Sequence, residues 1–140
     1  MIIQARAIFD GGDQLVKVDL SKAVQVVQSK DGSEHGSILF SPYYHSVFPV
    51  KPVVIKVNVS DVLPFLNPDD WCKAEERLIN SSVYIYFRTS DVYTFCTYPE
   101  EGEGPQLKIW GAFGMAVVKD EEGLRNILEK EFDARENRIS

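Results

Sequence analysis

The sequence predicts an α+β fold, mostly antiparallel β-sheet with two or three helices, including an amphipathic C-terminal helix packed on the sheet. Three observations carry this. The run Val53-Val-Ile-Lys-Val-Asn-Val59 and the tyrosine-bearing runs between residues 83 and 98 have the β-branched and aromatic composition of strands. Turn chemistry, as in Asp10-Gly-Gly-Asp13 and Lys30-Asp-Gly-Ser33, separates short apolar runs. Near the C-terminus Leu124, Ile127, Leu128 and Phe132 recur at helical spacing.

Length and composition set the frame. The chain has 140 residues, of which 44% are hydrophobic and 26% charged, which suits a single domain over residues 1–140 with its own core. No internal repeat or linker stands out. Residues 1–9 lack the basic start and long apolar run of a signal peptide, and no apolar run approaches the ~18 residues of a membrane span. A cytoplasmic protein is expected, with no membrane association.

Taken in order, Ile2 to Phe9 alternates imperfectly and reads as a strand. The glycines after Asp10 allow a turn, and Leu15, Val16 and Val18 suggest the returning strand of a hairpin. Ser21 could cap a short helix over residues 22–29, although Val24, Val26 and Val27 suit a strand nearly as well. Ser37 to Phe40 reads as a short strand, and Pro42, Pro49 and Pro52 make the next stretch irregular. Residues 53–59 should form a central strand. Asn67-Pro68-Asp69-Asp70 has the cap, proline and acids of a helix start, which predicts a helix to about Ile79 burying Trp71 and Leu78. Residues 83–87 and 92–98, flanking Arg88-Thr-Ser-Asp91, read as a hairpin. Leu107 to Val118 reads as one long strand, bent at Gly111 and Gly114. Asp120 should cap the last helix, supported by Glu121–Arg125 and Glu131–Arg135 pairs.

The motifs of most chemistries are missing. His35, His45, Cys72 and Cys96 are the strong nitrogen and sulfur ligands, and no two have zinc-knuckle spacing. Asp10, Asp13, Asp19 and Asp31 do not follow a calcium-loop pattern, so no metal or other cofactor is expected. Cys72, at the start of a helix, could have a lowered pKa, and Cys96 reads as a strand residue. No phosphate-binding glycine loop and no serine-nucleophile elbow occurs, so no catalytic residue is assigned. Direct nucleic-acid binding is disfavoured because no basic cluster exists.

Charge and aromatics point instead to a protein partner. The net charge is −6; residues 1–60 carry six basic and five acidic side chains, whereas residues 61–140 carry nine basic and sixteen acidic. Alternation puts Tyr84 and Tyr86 on one face, with Val83, Ile85 and Phe87 on the other. The expectation is a non-catalytic binding protein of inhibitor, immunity or antagonist type. It would dock on a basic partner through Tyr84, Tyr86, Asp91, Tyr93, Glu100, Glu101 and Glu103. The alternative is a small-molecule or enzymatic pocket between the sheet and the C-terminal helix, lined by Trp110, Phe113, Met115 and Phe132. Self-association into a homo-oligomer is a third option.

Overall fold

Strand β1 (Ile2–Phe9) shows the period of two on which the fold is built: Ile3, Ala5 and Ala7 are buried while Ile2, Gln4 and Arg6 are exposed. It pairs antiparallel with β2 (Gly12–Asp19), and the ladder closes on Phe9 opposite Gly12, whose φ of +121° suits glycine. The computed structural model describes residues 1–40, 44–45, 48–49, 53–77, 82–98 and 105–139. After a 3-10 turn at Leu20–Lys22 come β3 (Ala23–Ser29) and β4 (His35–Phe40). A small pair follows, β5 (Tyr44–His45) with β6 (Phe48–Pro49), and then β7 (Val53–Asn58). Two 3-10 turns, Val59–Asp61 and Leu63–Phe65, lead to β8 (Trp71–Glu75) and β9 (Val83–Arg88). A 3-10 turn at Thr89–Asp91 then precedes β10 (Val92–Tyr98), β11 (Gln106–Gly111), β12 (Gly114–Lys119) and helix α1 (Glu122–Ile139).

The larger sheet has seven strands in the order β2-β1-β7-β4-β3-β9-β8, and the smaller has three, β10-β11-β12; every ladder is antiparallel. The two halves of the chain share one topology. In each, a hairpin (β1–β2, β8–β9) leads through a 3-10 corner into a three-strand meander (β3-β4-β7, β10-β11-β12). Each meander returns beside the first strand of its own hairpin. Ala7 faces Val57 in the first half; in the second, Glu76 bridges Val118 and the Arg77 N–H donates to the Val117 carbonyl at 2.9 Å. Each meander is followed by a helical cover, the two 3-10 turns over the first half and α1 over the second. The repeat missed in the sequence had a faint trace at the corners, in Asp19-Leu-Ser21 and Arg88-Thr-Ser90. Asn58-Val-Ser60 repeats the spacing. Asp19 and Asn58 accept the N–H and hydroxyl of the serine two residues on, an Asx turn that starts the 3-10 piece.

Two cores follow from this arrangement. The first lies on one face of the larger sheet, where Ile3, Ala5, Val26, Ile38 and Val57 are covered by Val59, Val62, Leu66 and Trp71. The second uses the opposite face of β8 and β9. There Cys72, Ala74, Ile85 and Phe87 meet Leu107, Ile109 and Val118 of the smaller sheet and Leu124 and Leu128 of α1. Arginine forks fasten both corners. Arg88 donates to the carbonyls of Leu20 and Ala23, which bracket the first corner, and Arg135 donates to those of Thr89 (2.8 Å) and Val92 (2.7 Å), which bracket the second.

Several expected elements take another form. Among the described residues α1 is the α-helix, and the other helical pieces are three-residue 3-10 turns, so the expectation of two or three helices is corrected. The helix signal at Asn67 is real but lasts one turn: Asn67 Oδ1 accepts the Asp69 N–H at 3.0 Å, and its carbonyl accepts those of Asp70 and Trp71. Trp71 then enters the first core while Cys72 and Ala74 enter the second, an alternation that a strand supplies and a helix does not. Of the residues 22–29 read as a short helix, Lys22 ends a 3-10 turn and Ala23–Ser29 is strand β3. The expected hairpin of 83–87 with 92–98 is a corner, for β9 pairs with β8 and β3 while β10 pairs with β11. The expected long strand 107–118 is a hairpin, with Ala112 and Phe113 in its loop and Gly114 at φ +98°. Ile127 remains 47% exposed rather than joining Leu124 and Leu128 inside. The Asp120 carboxylate pairs with the Arg125 guanidinium at 2.8 Å, and the Glu121 carboxylate sits 3.8 Å from Lys119 while only its carbonyl meets Arg125, accepting the N–H at 3.0 Å. No described helix is long and apolar enough to cross a membrane.

Candidate functional site: a cleft between the two helical covers

Where the 3-10 cover of the first half meets α1 of the second, a cleft of about 480 Å³ opens over β8. Its floor is Trp71 and Cys72, one wall is Leu63, Leu66 and Pro68, and the other is Leu124 and Ile127. Lys73, Tyr86 and Glu121 bring polar groups to it. A second depression of about 400 Å³ shares Pro68, Trp71, Cys72 and Ile127 and continues along α1 to Ala134. Pro64 supports the first wall by fixing φ within the turn, which closes through Leu66 N–H to Leu63 O at 3.1 Å.

The floor is rigid. The Arg88 guanidinium lies 4.3 Å from the centroid of the Trp71 ring, and Arg88 is itself held by the Leu20 and Ala23 carbonyls and by Asp91 at 3.5 Å. Tyr86 is fixed through its hydroxyl, which donates to Gln28 Oε1 at 2.8 Å. Lys73 sits over the Tyr84 ring at 4.1 Å and Tyr86 at 5.8 Å, and Lys30, paired with Glu75, covers Tyr84 at 5.1 Å. Burial pushes the Cys72 thiol up to about 12, and its sulfur lies 3.5 Å from the Phe87 carbonyl. A thiol so held stays protonated at neutral pH, and the strand setting replaces the helix start that was expected to activate it. Glu122, Glu129, Asp133 and Glu136 are exposed at spacings of seven, four and three, which place them in one row along α1, on the side of the helix turned away from Ile127 and the cleft.

No protein-family model, no curated protein and no solved structure matches this chain. The reading of the site therefore rests on its geometry. Tyr84 and Tyr86 do share a face, but lysines rather than acids surround them. Asp91 belongs to a corner, with its carboxylate near Arg88 and its carbonyl accepting the Ala112 N–H at 2.9 Å. Tyr93, 67% exposed, stands on the other sheet. The predicted docking residues are thus not gathered into one patch among the described residues, and Glu100, Glu101 and Glu103 lie outside them.

The predicted pocket residues are also separated. Phe113 packs on Phe87 at 5.1 Å between ring centroids, and Phe132 on Phe95 at 5.3 Å. Trp110 and Met115 face each other across β11 and β12 on the side away from α1, because Leu107 and Ile109 of the alternation turn toward it. The space under α1 is filled by Leu124 and Leu128, so these four residues do not line one cavity. The cleft residues that sequence reasoning missed left weak signals: Leu63-Pro-Phe-Leu66 reads as an interrupted turn, and Ile127 sits at the margin of the apolar helix stripe.

Among the described residues no group of three His, Cys, Asp or Glu side chains gathers to hold a metal. Asp19 and Asp31 have their carboxyls held below the usual range by the serine two residues on, which marks them as turn caps. His35 lines a polar depression of about 260 Å³ with Arg6, Asp13, Glu34 and Asn58, in which Asn58 Nδ2 donates to Glu34 at 2.9 Å.

Proposed function

We propose that this chain is a non-catalytic protein-binding domain of inhibitor or antagonist type, which seats an apolar side chain of a basic partner segment in the cleft over Trp71. The carrying observation is the rigid aromatic floor between two apolar walls, with Ile127 left 47% exposed at its lip. An exposed apolar rim around a fixed floor is the form of an anchor pocket, and its volume of about 480 Å³ suits a large side chain and its neighbours. Glu121 at the cleft, Glu131 in the depression that continues from it, and the net charge of −6 favour basic residues flanking the anchor and would raise the association rate at low salt. The inert Cys72 on the floor supports binding over nucleophilic chemistry.

Selection of a displayed peptide library on the wild-type protein, with counter-selection on Ile127→Glu, tests this. The expected consensus is an aromatic or large aliphatic residue flanked by Lys or Arg, with binding lost in Ile127→Glu and weakened by salt. Peptides that bind both proteins alike would reject the cleft. Reversal of Glu100, Glu101 and Glu103 to lysine measures whether the acids after β10 share in the steering. A second reading is a small apolar ligand in the same cleft, which the volume favours; it predicts stabilising hits in a thermal-shift screen that Ile127→Glu abolishes.

A further inference from the structure

Among the strands of the two larger sheets, β3, β4 and β10 lack Asp, Glu, Lys and Arg. β3 and β4 are paired on both sides, where charge would be costly and no edge needs guarding. β10 has the same composition, Val-Tyr-Thr-Phe-Cys-Thr-Tyr, yet among the described residues it pairs with β11 alone and ends the smaller sheet. Edge strands that stay unpaired are guarded by charge, proline or short length. The β2 edge of the larger sheet is so guarded, with Asp13, Lys17 and Asp19. β10 has seven residues, no charge and no proline, with Tyr93 67% exposed and Thr94, Cys96 and Thr97 exposed. Its single irregularity is the shift in register between Val92 and Thr94.

We infer that β10 pairs with β10 of a second copy of this chain, forming a two-fold dimer in which the two smaller sheets run on as one. The edge matches itself: an uncharged β-branched and aromatic strand meets its like with no repulsion, and a two-fold axis makes the pairing antiparallel, the sense of every ladder in the protein. That sense also sets the two Tyr98 ends, each followed in sequence by Pro99-Glu100-Glu101, at opposite ends of the pair. The side chain of Phe95 stays on Phe132 of its own copy, so pairing needs no rearrangement of the second core. An acidic protein of net charge −6 resists association through most of its surface, which leaves the uncharged edge as the favoured contact.

The test is light scattering on the full chain over a range of concentrations, with two double variants at exposed positions: Thr94→Lys with Cys96→Lys, and Thr94→Glu with Cys96→Glu. The wild type is expected at twice the chain mass. Each variant alone is expected at half that, because the edges would bring like charges together. Mixing the two variants is expected to restore the doubled mass, which also shows that both are folded. A wild-type monomer at all concentrations, a dimer in either variant alone, or a mixture that stays monomeric overturns the inference.

Discussion

Arg135 is expected to be worth far more to this protein than its half-exposed place near the end of a helix suggests. Its guanidinium bonds the carbonyls of Val92 at 2.7 Å and Thr89 at 2.8 Å, lies 4.4 Å from the Phe132 ring centroid and meets Glu131 at 3.1 Å. A charge-assisted bond contributes about 1.5–3 kcal/mol and an exposed cation–ring contact about 0.5–1 kcal/mol. The side chain keeps 27% of its surface in water, so the low end applies, and Arg135→Ala should cost about 3 kcal/mol. Arg135→Lys keeps the charge but loses the fork and should cost about half as much. Glu131→Ala removes one surface ion pair and should cost under about 1 kcal/mol. Urea unfolding followed by tryptophan fluorescence measures all three. With a slope of about 2 kcal/mol per molar, Arg135→Ala should lower the midpoint by about 1.5 M. A cost for Arg135→Ala within about 0.5 kcal/mol of zero, or one matched by Glu131→Ala, would refute the assignment of Arg135 as the fastener of the second corner.

Other perturbations follow from the same contacts. A Cβ on Gly111 would lie 2.7 Å from the Asp91 carbonyl and 2.8 Å from the Phe113 ring, and one on Gly36 would lie 2.3 Å from the Val27 carbonyl; Gly11 meets nothing. Gly111→Ala and Gly36→Ala should each lower stability by about 1–3 kcal/mol in the same assay, with Gly11→Ala near neutral. Leu128→Ala, at a fully buried site, should cost about 2–5 kcal/mol, whereas Ile127→Ala should spare stability and weaken only ligand capture. An aromatic disulfide reagent at pH 8 should label Cys96, which is exposed, and reach Cys72 only after unfolding. The Lys30 ammonium beside Glu75 holds its carboxyl below the usual 4.5. A depressed carboxylate stabilises the fold above that value and loses the contribution as pH falls through the lower folded value. The stability gap between wild type and Glu75→Gln should therefore be present at neutral pH and close in acid; a gap unchanged with pH would remove the pair from the account.

What local patterns could show, the sequence showed: the β1–β2 hairpin, β7 inside the sheet, the split of Tyr84 and Tyr86 from Ile85 and Phe87, and α1. Its errors share one cause. Asn67-Pro68-Asp69-Asp70 has every mark of a helix start, but residues 71–75 are claimed by β9, whose alternation they complete. Val83–Arg88 and Val92–Tyr98 look like one hairpin because the corner between them resembles any short turn; only their partners, β3 far back in the chain for β9 and the following strand β11 for β10, separate them. The cleft was illegible for the same reason. Leu63, Trp71 and Ile127 come from three elements, and no periodicity within one element announces that they meet.

The cleft lies on the seam between two like-built halves, with Leu66 and Trp71 drawn from the first core and Cys72 and Leu124 from the second. The pairing of β3 with β9, from Val26–Tyr86 to Ser29–Val83, sets the angle between the halves, and Arg88 crosses from one to the other to hold it. Drift at residues such as Gln28 or Tyr84 could therefore retune which side chain the cleft accepts while leaving its walls unaltered. Duplicated architecture thus gives the protein a seam at which specificity can change without substitution of the apolar walls.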